Sequence, residues 1–265
     1  MLKGIIHCHS TYSDGEFTLR ELREVCLAAG VDFVCMTDHA EDFEDEATLR
    51  AYVAECAALS DERFRFVAGL EYGCERRMHV LGYGVTTLTH TIDPQEVIRH
   101  IEREGGISVI AHPPDAMFEW IESFTVLPRG IETWNSKYDG RYAPRPSTFQ
   151  LLNRLQERKP EMQAFYGTDL HWKKQFRGLL NFVNCAAPTP DAILAALMRG
   201  DYVGVKDRVE LPASGQVPAA ALAKFQATNE RYHQWRQFLK QAKKMSGRIG
   251  SNLPAPVKAQ LRRIF

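Results

Sequence analysis

Residues 3–15 read KGIIHCHSTYSDG, a short apolar run that ends in two histidines two positions apart. The run has the composition of a buried β-strand, and side chains at positions i and i+2 of a strand lie on the same face. His7 and His9 are therefore predicted to project together from the end of the first strand. Asp14 adds a carboxylate within a Ser-Asp-Gly turn. The segment predicts the first part of a ligand set, provided that later segments supply partners.

Strand-like and helix-like segments alternate along the rest of the chain. Predicted strands occupy residues 4–8, 33–37, 64–69, 79–83, 108–111, 130–133 and 163–167. Predicted helices occupy residues 18–29, 46–59, 94–104, 147–158 and 192–198. Repeated β-then-α units imply parallel strands joined by right-handed crossovers. About seven such units favour an α/β fold with a closed barrel, whose chemistry lies at the C-terminal ends of the strands.

Residue types that bind metals recur at the ends of these strands. They are His7 and His9, His39 in MTDH, Glu71 in GLEYG, His79 in MHVLGY, His112 in AHPP, and Asp169 and His171 in GTDLH. Burying so many imidazoles and carboxylates together costs several kcal/mol each, and bound cations offset that cost. Mixed imidazole and carboxylate ligands without thiolate suit Zn, Mn or Fe, and their number fits two or three ions.

The ordered segments HCHSTYSDG, MTDH, GLE, HVLGY, AHP and GTDLH resemble the motif regions of the PHP (polymerase and histidinol phosphatase) superfamily. The resemblance runs from about Lys3 to about Arg208. It implies a distorted seven-stranded (β/α) TIM-like barrel that binds two or three divalent metal ions and hydrolyses phosphoesters. Metal ions lower the pKa of bound water towards about 7, so we expect a metal-bridging hydroxide to be the nucleophile.

The resemblance implies three metal sites, with ligands His7, His9 and Asp169 in the first, Glu71, His79 and His112 in the second, and Asp14, His39 and His171 in the third. Glu71 would bridge the first two ions. Asp38 lies beside His39 in the sequence, and we expect it either to orient an imidazole from the second shell or to form a structural turn.

The Ser-Asp-Gly form of the first motif is similar to one branch of the superfamily. That branch contains phosphatases of nucleoside monophosphates and 3′,5′-bisphosphates, and 5′–3′ exonucleases that act on short RNA. Several of its members carry a large helical insertion over the substrate. Here too few residues separate His79 from His112 for such a lid. Either the site is open, or the C-terminal tail folds back over it.

Cations suited to phosphate follow two of the predicted strands. They are Lys137, Arg141 and Arg145 in one segment, and Lys173 and Arg177 in the other. Arginine can donate two parallel hydrogen bonds to a phosphate, so Arg141 is the first choice. The alternative for each of these cations is that it is a solvated charge on the protein surface. Trp134, Tyr138 and Trp172 are candidates either for stacking on a base or for packing.

The charge of the chain is asymmetric although its formal sum is zero. The last 45 residues carry ten Lys/Arg and one acid, Glu230, which leaves an excess of nine acids in the first 220. We therefore predict a catalytic barrel domain over residues 1–210, and a linker with a basic helical tail over residues 211–265. Aromatic and cationic side chains alternate at Arg231, Tyr232, Trp235, Arg236, Phe238 and Lys240. This pattern fits either an amphipathic helix packed on the barrel or an arm that binds short nucleic acid.

Composition limits the class of protein. The chain has 265 residues, 45% of them hydrophobic and 25% charged, and no apolar run long enough to span a membrane. Without a secretion signal or a C-x-x-C pair, the six cysteines are expected to be reduced and the protein cytoplasmic. Three functions stay open: a phosphatase of a small phosphorylated metabolite or nucleotide, a 5′–3′ exonuclease on short oligonucleotides, and a non-catalytic metal-binding partner module. Retention of all nine ligand positions argues against the third.

Overall fold

The computed structural model describes residues 1–140, 142–176, 178–207 and 209–249, with side chains as far as residue 241. The strands are β1 (Leu2–Ile6), β2 (Phe33–Cys35), β3 (Asp38–His39), β4 (Arg65–Val67), β5 (Gly69–Gly73), β6 (His79–Tyr83), β7 (Ile107–Ile110), β8 (Gly130–Asn135), β9 (Gln163–Gly167), β10 (Leu180–Val183), β11 (Tyr202–Lys206) and β12 (Val209–Pro212). The α-helices are α1 (Leu19–Ala28), α2 (Glu46–Ala58), α3 (Pro94–Arg103), α4 (Phe118–Glu122), α5 (Pro146–Gln156), α6 (Pro190–Arg199) and α7 (Ala219–Ile249).

The strands form two sheets that are rich in parallel pairs. The first has the order β12-β11-β10-β1-β2-β4, and the second the order β3-β5-β6-β7-β8-β9. β1, β2 and β4 run parallel, as do β7, β8 and β9. Of these strands, β1, β7 and β8 are followed by α1, α4 and α5, which is the α/β arrangement that the alternating pattern predicts. The mixed α/β fold is thus confirmed.

The sheets also contain antiparallel pairs, which the repeated β-then-α pattern does not predict. β6 is antiparallel to both of its neighbours, β5 and β7. The connection from β5 to β6 is a short 3₁₀ turn, Glu75–Arg77, which is too short for a crossover and forces the chain to reverse. β10, β11 and β12, which the pattern analysis missed, add antiparallel strands beside β1.

Backbone hydrogen bonds connect the two sheets where their strands end. The amide of Thr168, after β9, donates to the carbonyl of Ile6 at 3.0 Å, and the amide of His9 donates to the carbonyl of Leu170 at 2.9 Å. On the other side, the amide of Thr37, between β2 and β3, donates to the carbonyl of Cys8 at 2.9 Å. The C-terminal ends of strands from both sheets therefore converge on the segment that carries His7 and His9.

Local sequence explains where the flanking helices begin and which face they bury. α1 starts with a capping box, in which the amide of Glu21 donates to the Thr18 hydroxyl at 3.2 Å and the Glu21 carboxylate accepts from the Thr18 amide at 3.0 Å. Leu19, Leu22 and Cys26 of this helix are buried and belong to the hydrophobic core. Burial raises the pKa of the Cys26 thiol to about 12, so it stays protonated and serves as a core residue.

The long helix α7 lies against the loop that follows β8. Phe225 is buried, the Asn229 side-chain amide donates to the carbonyl of Pro144 at 3.0 Å, and the ring of Tyr232 lies 5.3 Å from that of Tyr142. Trp235 and Phe238 are 57% and 66% exposed, so packing on the body does not account for them. The predicted tail beyond residue 249 lies outside the described residues. Of the helices that the structure describes, none has the length and apolarity that crossing a membrane requires.

Two truncated chains test how far the folded unit extends past residue 210, where the predicted domain boundary lies. A chain ending at Arg208 lacks β12 and the buried Leu211 and Phe225, each of which contributes about 1.5–3 kcal/mol by burial. We expect its thermal unfolding midpoint, measured by circular dichroism, to fall strongly. A chain ending at Lys240 keeps these contacts and should unfold as the full chain does. Equal midpoints for the two chains would support an independent domain over residues 1–210.

Candidate metal centre

Nine side chains meet where the two sheets converge, and they are the nine that the sequence predicts as metal ligands. Their ligand atoms form four groups, with all atoms of a group within 4.8 Å of one another. The groups are His9, Asp14, His39 and His171; His7, Glu71 and His112; His7, His9 and Asp169; and His39, Glu71 and His79. His9 thus belongs with the predicted third set as well as the first. The structure contains a histidine and carboxylate metal-binding cluster.

The backbone leaves the strands in a strained conformation at three cluster residues. His7, His112 and Asp169 have φ angles of 65°, 29° and 50°, in or near the left-handed region that L-residues rarely adopt. Each such residue costs of order 1–3 kcal/mol unless its surroundings enforce the conformation. The left-handed turn ends the extended backbone at the residue that carries the ligand. Three of the six non-glycine residues with positive φ in the described part of the chain are therefore cluster residues.

Glu71 lies at the centre of the cluster. Its Oε1 is 2.8 Å from Nδ1 of His79 and 3.4 Å from Nε2 of His112. Its Oε2 is 3.1 Å from Nε2 of His9 and 3.3 Å from Nε2 of His7. Burial opposes ionisation of Glu71, but His7 and its other imidazole neighbours prevail and hold its pKa well below the usual range. One carboxylate oxygen therefore faces each half of the cluster, which is the geometry that a bridging ligand needs.

Asp169 provides the second buried carboxylate. Its Oδ1 lies 3.6 Å from Nε2 of His7, 3.7 Å from Nε2 of His9 and 3.0 Å from Nδ1 of His171. The ammonium group of Lys137 reaches the same oxygen at 3.3 Å. Burial opposes ionisation here too, but the charge of His7 and the hydrogen bond to His171 hold the pKa of Asp169 well below its usual range. The carboxylate is thus kept ionised and available to a cation.

The group that contains Asp14 forms the open side of the cluster. Oδ1 of Asp14 lies 3.1 Å from Nε2 of His171, 3.6 Å from Nδ1 of His9 and 3.7 Å from Nε2 of His39. Asp14 is 54% exposed, whereas Glu71 and Asp169 are buried. An ion held by this group would therefore be the one most accessible to solvent.

Asp38 holds the loop that carries Asp14. Its carboxylate accepts hydrogen bonds from the Ser10 amide at 2.7 Å, the Ser10 hydroxyl at 3.0 Å and the Ser13 hydroxyl at 2.7 Å. These contacts support the turn role rather than the orientation of an imidazole.

The chemistry of the donors fits divalent cations. Neither ring nitrogen of buried His9 has a hydrogen-bond partner, and neither does Nδ1 of His39. Oε2 of Glu71 lies 3.1 Å from Nε2 of His9, but the two groups are not oriented to form a hydrogen bond. Burial lowers the pKa of His9 to about 4, so the ring is neutral near pH 7 and offers a lone pair. Neutral imidazoles beside ionised carboxylates are the ligand set that Mn, Zn and Fe ions accept.

Glu132, which the sequence analysis missed, ties two cluster residues together. Its Oε1 lies 2.8 Å from Nδ1 of His7, and its Oε2 accepts from the amide of His112 at 2.9 Å. Fully buried Glu132 thus bonds the two strained histidines at once. Gly167 makes room for it, since a Cβ there would lie 1.6 Å from Oε1. The sequence did contain a signal for this residue, because Glu132 is a charged residue in the middle of a predicted strand whose other residues are apolar or neutral.

The predicted phosphate-binding cations have different surroundings. Lys137 lies inside the cluster, 3.4 Å from His171 Nε2 as well as beside Asp169. Arg145 forms ion pairs with Asp115 at 2.9 Å and Asp139 at 3.1 Å. Lys173 is exposed and pairs with Glu21 at 3.5 Å. Arg141 and Arg177 lie outside the described residues. Of the three candidates that the structure describes, Lys137 therefore lies nearest to the predicted metal ligands.

The three aromatic candidates also differ in burial. Trp134 is buried and donates from Nε1 to the carbonyl of Gly140 at 2.8 Å, which makes it a core residue. Tyr138 and Trp172 are exposed and flank Lys137, whose Nζ lies 5.0 Å and 5.4 Å from their ring centroids. Two aromatic faces are thus available to a ligand beside the cluster.

The profile of the PHP domain family matches residues 6–245 of this chain. The chain belongs to the PHP domain family. The match includes every strand that carries a cluster residue and extends into α7. PHP membership also agrees with the order of the ligand motifs along the sequence.

Known proteins resemble parts of this PHP chain. Over an alignment of 77 positions, the chain is 35% identical to the DNA polymerase/3′-5′ exonuclease PolX of Bacillus subtilis (strain 168), and the alignment covers 26% of this chain and 14% of that protein. The solved structure of a two-domain protein of Bacteroides vulgatus, which contains a predicted PHP-like metal-dependent phosphoesterase, superposes with a TM-score of 0.55 at 17% identity. It covers 79% of this chain and 66% of its own. PsfC of Pseudomonas syringae superposes with a TM-score of 0.50 at 12% identity over 88% of this chain and 98% of its own. At these identities the structural matches establish a shared fold.

Replacing Glu132 tests whether it organises the PHP cluster. In Glu132→Gln, an amide replaces one acceptor, so either His7 or His112 loses its hydrogen bond. Loss of such an outer partner typically lowers metal affinity by about 10–100-fold. We expect that loss in metal titrations followed by elemental analysis. Gly167→Ala should reproduce it by displacing Glu132, whereas Glu119→Gln on the surface should not. Unchanged metal affinity in Glu132→Gln would contradict the role.

Replacing Arg145 separates a structural role from phosphate binding. Arg145→Ala leaves the Asp139 carboxylate buried and unpaired, which costs about 3–5 kcal/mol of unfolding free energy. Burial raises the pKa of Asp139 to about 6 against the opposing charge of Arg145, and the variant should raise it further. A raised folded-state pKa means stability that is present at low pH and lost as pH rises. Urea denaturation should therefore show a larger deficit at about pH 8 than at about pH 5. A variant of normal stability at both pH values would indicate a substrate-binding role instead.

Proposed function

We propose that this PHP protein is a metal-dependent phosphoesterase that removes phosphate from a small phosphorylated metabolite or nucleotide. The observation that carries the proposal is the Glu71 carboxylate at the centre of a buried histidine cluster in which His9 lacks a hydrogen-bond partner. A set of carboxylates and imidazoles in this density is suited to more than one divalent ion. Multinuclear sites of this type are the usual apparatus for phosphoester hydrolysis.

Nine residues would hold the ions. We assign His7, His9 and Asp169 to one ion, Glu71, His79 and His112 to a second, and Asp14, His39 and His171 to a third. The first and third sets agree with the observed groups, whereas His112 groups with His7 and Glu71, and His79 with His39 and Glu71. Two or three ions of Mn, Zn or Fe fit this set. When bound, they supply an activated water as nucleophile and offset negative charge on the phosphate. The place of Asp14 in the cluster supports membership of the Ser-Asp-Gly branch.

Lys137 is the side chain best placed to bind the substrate phosphate. Its ammonium group is largely buried and lies 3.3 Å from Asp169 and 3.4 Å from His171 Nε2. A phosphate bound beside these residues would place its oxygens within reach of Nζ. The charge would orient the phosphate and stabilise the transition state, in which the negative charge on its oxygens increases.

We infer that the two sheets are parts of a distorted seven-stranded barrel. The hydrogen bonds from Thr168 to Ile6 and from His9 to Leu170 support closure between β9 and β1. The hydrogen bond from Met36 to Val67, at 2.9 Å, supports continuity of β2 and β4 into β3 and β5. In such a barrel the cluster lies at the C-terminal mouth, where barrel enzymes place their chemistry. Free, mostly buried cysteines support a cytoplasmic location.

Exonuclease action on short oligonucleotides is the second candidate, and α7 favours it. A cleft of about 280 Å³ lies between Lys137 in the loop after β8 and Tyr232 and Arg236 of α7. Exposed Trp235 and Phe238 add stacking faces to this basic helix, as single-strand binders use. The PolX relative is named as a 3′-5′ exonuclease, although the chain matches only 14% of that protein. The tail would then be an arm that guides nucleic acid to the cluster.

The decisive experiment compares two substrates with Mn²⁺: a nucleoside monophosphate and a short 5′-phosphorylated RNA. Inorganic phosphate from the monophosphate is the expected product, and a chelator should abolish its release. Glu71→Gln should lose metal and at least about a hundredfold in rate, since even outer partners of metal ligands are worth 10–100-fold. Glu62→Gln, an exposed carboxylate outside the cluster, is the matched control.

The same assay distinguishes the alternatives. Mononucleotides released from the RNA, with an affinity that falls steeply with salt, would favour the exonuclease. Stoichiometric metal without turnover of either substrate would favour the partner module. Full activity of Glu71→Gln would contradict the bridging assignment.

A further inference from the structure

A second, larger cleft opens beside the metal cluster on the side of His79 and His112. Its volume is about 1090 Å³, and both histidines form part of its wall. A substrate phosphate bound near these histidines would extend the rest of its molecule into this space. The cleft is also lined by Arg76, Arg77 and Tyr138. The proposed function does not use these residues.

Arg76 and Arg77 occupy the turn that joins β5 to β6, and both have left-handed backbone conformations. Their φ angles are 56° and 60°. A left-handed conformation costs an L-residue of this kind roughly 1–2 kcal/mol, whereas glycine adopts it without penalty. Two successive long cations therefore stand where glycine would relieve strain. The strain is a reason to look for a function of the two side chains.

The charges of these arginines are free for a ligand. Arg77 is exposed and has neither an ion pair nor a hydrogen bond among the described residues. The guanidinium of Arg76 lies 4.4 Å from the ring centroid of Trp120, a contact that orients it without neutralising it. Arg145, the other arginine of the cleft, is instead paired with two carboxylates. The turn therefore presents two unneutralised guanidinium groups to the cleft.

Other residues of the cleft limit what the ligand can be. Tyr138 is 60% exposed, and its ring centroid lies 4.6 Å from that of His112, so it offers a flat face next to the cluster. The acidic residues described in the cleft are Asp139, which pairs with Arg145, and Glu41, whose Oε1 lies 3.9 Å from Nδ1 of His39 and whose Oε2 accepts from the Gly73 amide at 3.3 Å. The cations without a carboxylate partner are therefore at the turn, and Tyr138 offers a planar surface beside His112 in the same cleft.

We propose that Arg76 and Arg77 form a subsite for a second anionic group of the substrate, a phosphate or a carboxylate. Guanidinium groups bind either anion with paired, charge-assisted hydrogen bonds. Tyr138 would pack against the part of the substrate that joins the two anionic groups. The inference rests on the proposed phosphoesterase function and specifies its substrates as phosphoesters with a second negative charge on the leaving group.

Three substrates with one scaffold test the subsite: phenyl phosphate, 4-carboxyphenyl phosphate and 1,4-phenylene bisphosphate. The wild type with Mn²⁺ should show a lower KM for the substrates with a second anion than for phenyl phosphate. In Arg77→Gly that preference should shrink by about 10–100-fold, the value of a charge-assisted hydrogen bond. Arg77→Lys should restore part of it. The carboxylate and bisphosphate arms identify which anion the subsite prefers.

Controls separate folding and chemistry from recognition. Glycine relieves the strained backbone, so Arg77→Gly should keep the thermal unfolding midpoint of the wild type or exceed it. Arg20→Ala, an exposed arginine on α1, should leave all three KM values unchanged. An unchanged preference in Arg77→Gly would overturn the subsite. A similar loss on all three substrates would place Arg77 at the reacting phosphate, which also overturns it.

Failure of the proposed function has a different outcome. If the wild type hydrolyses none of the three compounds with Mn²⁺, Zn²⁺ or Fe²⁺, the phosphoesterase proposal fails. Calorimetric binding of 1,4-phenylene bisphosphate and phenyl phosphate then still tests the subsite. Tighter binding of the bisphosphate that Arg77→Gly abolishes would support the subsite, and equal binding of both compounds would refute it.

Discussion

A buried carboxylate surrounded by imidazoles is the constraint on which this structure depends. Glu71 lies within 3.6 Å of ring nitrogens of His7, His9, His39, His79 and His112. A concentration of charge and unpaired polar atoms in a protein interior is unfavourable unless a cation satisfies it. The strands must also end at positions that direct their last side chains to one point. The layout of both sheets follows from this convergence.

The convergence is achieved with strain, and buried hydrogen bonds hold that strain in place. Glu132 bonds the side chain of His7 and the backbone of His112, two residues with left-handed backbone. The Glu132 carboxylate in turn needs a glycine at position 167. The cluster is thus held by buried hydrogen bonds at its base and is more exposed at Asp14. Groups that are held in position and have one accessible side are suited to binding a ligand without rearrangement.

Two features on the open side follow from the connections between elements. The short turn from β5 to β6 leaves a wide cleft beside His79 and His112 and carries Arg76 and Arg77. Next to this cleft, with Tyr138 and Asp139 shared between the two, α7 packs beside the loop of Lys137 through Asn229. The mouth is thus bordered by cations of different origin. One set comes from a strained turn, and the other comes from the basic helix.

The sequence by itself determined the α/β class and the nine residues of the cluster. Those signals are local: an apolar run forms a strand, and a histidine or carboxylate at its end is visible without knowledge of its neighbours. Only the tertiary structure decided the antiparallel direction of β6, the strands β10 to β12 and the role of Glu132. Strand direction and pairing depend on contacts between distant segments. Glu132 likewise forms its hydrogen bonds to His7, more than a hundred positions away in the sequence, and to the backbone of His112 after β7. Ion pairing likewise showed that Arg145 is already neutralised, because its partners Asp115 and Asp139 reach it only in the folded chain.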